Sequence, residues 1–151
     1  MDLVSSWKSN PLFQKRTKIL SDCVTTLQVS KREFNASNVV LPTLISQIEG
    51  ILNSYVKKVG IKRKGNKEWA IEFRNKTKDD DFLEFTELAN DVLLDILFQV
   101  ANEGKPLKTP FTFSRHKILH GEFTKYGRLD NVLRAFLILD FLNFVSTKDE
   151  K

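Results

Sequence analysis

Apolar positions recur at i, i+3 and i+4 along most of the chain, the spacing of one buried helix face. Asn10-Pro11 reads as a helix start, with Asn10 as cap and Pro11 at the first helical position. Leu12, Ile19, Leu20, Cys23, Val24 and Leu27 carry that stripe to about Gln28. A second helix follows the Asn35–Asn38 cluster along Leu41, Leu44, Ile45, Ile48, Leu52 and Tyr55, and Pro42 is tolerable only near its first turn. The third opens at Asp79-Asp80-Asp81, carboxylates suited to the positive end of a helix dipole. It runs through Phe82, Phe85, Leu88, Ala89, Val92, Ile96 and Val100 and ends before Gly104. After a loop marked by Pro106 and Pro110, Ser114 caps a short helix that Gly121 terminates. Asp130 caps the last helix, Val132 to Val145, which is apolar nearly all round and therefore central in the fold or shared with a second subunit.

One segment breaks the pattern. Val59 and Ile61, then Trp69, Ile71 and Phe73, alternate around Lys64-Gly65-Asn66-Lys67, which reads as a small β-hairpin. A short helix over Asn66–Lys76 is the competing reading. The pattern predicts a single all-α domain over residues 1–151, a bundle of four to five helices with a basic insertion at about 57–78.

Charge sharpens this picture. The chain carries a formal +5, but Lys57 to Lys78 holds nine basic residues against Glu68 and Glu72, so that segment alone carries +7. Lys62, Arg63, Lys64 and Lys67 form its centre, a field that attracts a phosphate backbone, although a solvated charge run would look the same. Trp69 and Phe73 are suited to stacking on bases or to packing inward. The single Cys23 makes no internal disulfide, Met1 to Trp7 lacks the pattern of a secretory leader, and no apolar run is long enough to span a bilayer. A cytoplasmic protein with no membrane contact is expected.

The chemistry concentrates at Ser114-Arg115-His116-Lys117-Ile118-Leu119-His120-Gly121. Arginine forks onto phosphate at any working pH, and histidine moves protons near neutrality. His116 and His120, four apart, share a helix face and would also suit a metal pair, but further ligands are not evident and no metal or cofactor is expected. Glu49 shares a stripe with Ile45, Leu52 and Val56; if buried there, it requires a partner such as a guanidinium. An ordinary residue at the edge of the stripe is the alternative.

The string from Arg115 to His120, before an apolar terminal helix, resembles the HEPN superfamily of small helical bundles, many of them metal-independent ribonucleases. Their signature is arginine, four to six residues, then histidine, commonly with a polar residue after the arginine. Arg115, His116 and His120 match the four-residue version. With Tyr126-Gly127, the wider string resembles a prophage- and defence-associated subset. The resemblance implies RNA cleavage through the 2′-hydroxyl, giving a 2′,3′-cyclic phosphate and a 5′-hydroxyl. His120 would transfer protons, Arg115 would stabilise the transition-state charge, and His116 would support them. Glu49 would orient Arg115 or His120, Gly50 would permit close helix approach, and Lys117 would add to the RNA contact.

Residues five apart on one helix are turned by about 140° from each other. The resemblance answers this with a homodimer whose two motifs share a cleft, and it places an antitoxin or other regulator among the partners. Glu122 stands where a toxin subgroup carries a modified tyrosine. The rival reading is a non-catalytic HEPN-like module that binds RNA, a nucleotide or a protein.

Overall fold

Local signals account for the helices seen in the computed structural model, which describes residues 3–29, 34–63, 68–99, 113–122 and 124–148. These are α1 (Leu3–Trp7), α2 (Pro11–Gln14), α3 (Thr17–Gln28), α4 (Ser37–Lys58), α5 (Glu68–Thr77), α6 (Leu83–Asn90), α7 (Arg115–Leu119) and α8 (Leu129–Lys148). Residues Asp91–Leu97 continue α6 as a π-helix. The architecture is all-α, with no strand among the described residues. The turn at Gly65-Asn66, the end at Val100 to Gly104 and the Pro106–Pro110 loop lie outside the described residues.

The helix count exceeds the expected four to five because α1 lies ahead of the first expected helix, that helix is divided, and α5 stands where a hairpin was expected; the third expected helix is interrupted as well. The first yields α2 and α3. Asn10 does cap α2, its side chain accepting from the Leu12 N–H at 3.0 Å, but Arg16 N–H turns back to the Phe13 carbonyl at 2.8 Å. The Thr17 hydroxyl donates to the carbonyls of Phe13 and Gln14, and this local bonding competes with a continuous helix. The third is divided where α6 widens into the π turns, with Phe98 N–H bonded five residues back to the Leu93 carbonyl at 3.0 Å.

The hairpin reading is overturned. Trp69, Ala70, Phe73 and Thr77 are the buried positions of α5, a helical spacing, while Ile71 stands 53% exposed. Glu68 in the first turn and Arg74 and Lys76 in the last suit the helix dipole. Trp69 and Phe73 are buried and present no face to a base.

Helices α4 and α8 form the centre and pack on each other; α2 and α3 lie against α4, and α6 lies against α8. The apolar α8 is buried centrally within one chain through Val132, Ala135, Ile138, Leu139, Phe141, Leu142 and Val145. Fully burying one such large side chain contributes about 1.5–3 kcal/mol. Phe73 carries α5 onto this core, its ring meeting Tyr55, Trp69 and Phe141 at centroid distances of 5.9, 6.2 and 6.3 Å. No described helix is long and apolar enough to cross a membrane.

Two polar clamps set the ends of the bundle. Pro42 has no N–H for the Asn38 carbonyl one turn back, and the Tyr126 hydroxyl donates to that carbonyl instead at 3.2 Å. Gly127 is pressed so closely against Asn38 that a Cβ would collide with it, and Asn35 donates to the Gly127 carbonyl at 2.7 Å. Tyr126 and Gly127, ahead of α8, are thereby fixed to the start of α4.

At the other end, Lys148 bonds the buried Asp79 carboxylate. The Lys148 hydrogen bond, reinforced by the Asp81 N–H, holds Asp79 below the ordinary carboxylate pKa. A carboxylate whose folded pKa is depressed stabilises the fold above its unfolded pKa, and that contribution is lost as pH falls through the folded value. Thermal unfolding midpoints are therefore expected to drop below about pH 4, and to drop less steeply in Lys148→Met. An unchanged slope in Lys148→Met would dismiss this pair as the acid-sensitive contact.

Candidate active site

Short helix α7 begins where predicted. Ser114 is extended at φ −111° and accepts from the Lys117 N–H at 3.5 Å, while Gly121 at φ +72° provides the left-handed stop that a side chain would resist. The helix packs against α4. Its first residue, Arg115, reaches Glu49 on that helix across 66 positions of sequence. Nε donates to Oε2 at 2.8 Å and Nη2 to Oε1 at 2.7 Å. The two side chains are 32% and 24% exposed, so the fork is partly shielded from water, where a charge-assisted bidentate pair is strongest.

His116 and His120 sit together on the other side of α7. Their ring centroids are 4.5 Å apart, both residues are exposed, and Glu122 Oε1 lies 3.1 Å from His116 Nε2. Among the described residues no hydrogen bond joins Arg115 to either histidine. The helix thus divides the motif, with its guanidinium turned to α4 and its imidazoles turned to solvent. Lys117 is exposed on the same helix. No group of three or more His, Cys, Asp or Glu side chains placed to hold a metal ion occurs among the described residues.

Arg63 joins the Arg115 side of the site. Its guanidinium carbon lies 4.7 Å from the Trp69 ring centroid and 5.5 Å from that of Phe98, and Arg115 lies 5.7 Å from the same Phe98 ring. Such seats are favourable because the face of an aromatic ring is electronegative. Arg63 donates to the Asn53 side-chain oxygen, one turn along α4 from Glu49. Burial lowers the Arg63 pKa from the ordinary arginine value; Glu49 raises it again and Arg115 lowers it further. Lys62 lines a surface concavity of about 380 Å³ with Asn53, Lys57, Gly60 and Arg63. Lys64 and Lys67 lie outside the described residues.

Sequence reasoning passed over Phe98 and Asn53. Phe98 carried no periodic signal because it follows the π turns, and Asn53 is a polar residue on a long amphipathic helix. Gly50 serves differently from the close helix approach expected of it. The Arg16 guanidinium lies over it, with Nη2 2.5 Å from where a Cβ would stand, and Arg16 bonds Gln47 at 2.8 Å. No family model, curated protein or solved structure matches the chain.

Proposed function

We propose that the protein is a metal-independent endoribonuclease of HEPN type, acting in the cytoplasm as a homodimer in a toxin or antiphage-defence setting. The observation that carries this reading is the bidentate Glu49–Arg115 pair beside the exposed His116–His120 pair. Glu49 occupies the Nε–Nη2 edge of the guanidinium. It leaves Nη1 and the second Nη2 proton to meet a phosphate, so the charge is aimed without being consumed.

RNA supplies its own nucleophile. The 2′-hydroxyl attacks the adjacent phosphorus, a histidine takes its proton, and the 5′-oxygen leaves with a proton returned to it. Arg115 stabilises the phosphorane-like charge, and His120 transfers the proton with His116 beside it. The outward turn of the histidines favours two copies of the chain sharing one cleft, each supplying part of the site. An antitoxin or other regulator would be the further partner in such a setting.

The test is incubation of the purified protein with total tRNA in EDTA, beside Arg115→Ala and His120→Ala. Cleavage leaving cyclic phosphate ends is expected from the wild type, with a loss of about a thousandfold in each variant. Cleavage that survives both substitutions would overturn the assignment. Retained RNA binding without cleavage would favour the non-catalytic module.

A further inference from the structure

The cluster around Phe98 holds two guanidiniums and one carboxylate. Glu49 is committed to Arg115 through both oxygens. Arg63 is held by the neutral Asn53 amide and by two aromatic rings, with no carboxylate in ion-pairing distance among the described residues. Arg74, by contrast, already bonds Asp91 at 2.6 Å and Asp95 at 3.2 Å. One positive charge is therefore left over beside Arg115, and it is partly desolvated, which strengthens its attraction for an anion.

Its placement specifies which anion. The two guanidinium carbons lie 5.5 and 5.7 Å from one ring centroid and so no farther apart than the sum of those distances, a gap that consecutive phosphates of a strand can bridge. Beyond Arg63 the surface continues into the concavity lined by Lys57 and Lys62, whose volume of about 380 Å³ suits a nucleotide. Trp69 beneath Arg63 is 3% exposed, so the ring is a seat for the guanidinium and the N–H edge is the part free to bind.

We infer that Arg63 is a substrate-binding residue of the proposed ribonuclease site, gripping the phosphate next to the one held by Arg115, with the Lys57–Lys62 concavity receiving the attached nucleotide. This rests on the ribonuclease reading for the identity of the strand. It makes two phosphates, rather than one, the unit that the site recognises.

Two measurements separate the subsite from the activity. The first compares kcat/KM for a trinucleoside diphosphate and a dinucleoside monophosphate. Wild type should favour the longer substrate by about tenfold, the effect of one charge-assisted contact, and Arg63→Gln should collapse that ratio toward one. The second is the salt dependence of binding to an uncleavable 2′-O-methyl oligonucleotide. Its logarithmic slope should fall by about 0.7 in Arg63→Gln and recover in Arg63→Lys, with thermal unfolding confirming that both variants fold.

A substrate-length ratio and a salt slope both unchanged in Arg63→Gln would overturn the subsite while leaving cleavage intact. If wild type binds but does not cleave, a slope that still depends on Arg63 keeps the subsite, and the ribonuclease reading alone fails.

Discussion

If the protein is the proposed ribonuclease, replacing Glu49 with alanine is expected to lower kcat for RNA cleavage by at least about a hundredfold, with a much smaller change in KM. In the proposed reaction the carboxylate acts through Arg115, whose Nε–Nη2 edge it fixes through bonds of 2.8 and 2.7 Å. Without it the guanidinium is half-shielded and unaimed, and its charge is spread over many rotamers when the transition state forms. Removing one partner of a fully buried pair costs about 3–5 kcal/mol, and solvent reaching these side chains should reduce that to about 1–2 kcal/mol. For a domain of this size the expected fall in Tm is about 2–4 °C per kcal/mol. Glu49→Gln keeps one acceptor and should fall between wild type and alanine. If Glu49→Ala loses only stability and keeps kcat, Glu49 is a fold residue and the aiming role must be abandoned.

Phe73→Ala is expected to destabilise the fold by about 3–5 kcal/mol. The ring is fully buried and meets three other aromatic rings, so truncation leaves a void that the rigid α4–α8 pair can close only in part. The same helix supplies a control. Ile71, two residues earlier and 53% exposed, should tolerate alanine within about 0.5 kcal/mol. Denaturant unfolding measures both, and equal losses would contradict the helical register of α5. Loosening α5 also removes the Trp69 seat from Arg63, so if the proposed RNA subsite exists, Phe73→Ala should reduce RNA affinity in the protein that remains folded.

The sequence made the central helices readable because their apolar stripes are long. Ten buried positions of α4 repeat at helical spacing, and Pro42 falls early enough to be absorbed. The short helix was legible from its boundary residues alone, Ser114 and Gly121. α5 was misread because Ile71 completes an alternation with Trp69 and Phe73 that is incidental to their burial. The break between α2 and α3 depends on hydroxyl bonding by Thr17, which leaves no apolar signature.

At the candidate site, Arg115, His116, His120 and Glu49 stand out in the sequence, and the structure unites Arg115 with Glu49 and His116 with His120. What could not be read was the aromatic seat. Residues 63 and 69 are far in sequence from residues 98 and 115, and the direction of Phe98 follows a change of helical pitch.

That change of pitch has a consequence for chain length. The π turns over Asp91–Leu97 hold more residues per turn than an α-helix, so they reset the phase of whatever follows. A chain shorter by a single residue there would relax into α geometry and deliver the following side chains close to their present direction. The same residues wound as a regular α-helix would instead turn the next side chain by about 100°, and the ring shared by Arg63 and Arg115 would face elsewhere. The widened turns are thus part of the site, as much as the phenylalanine they deliver.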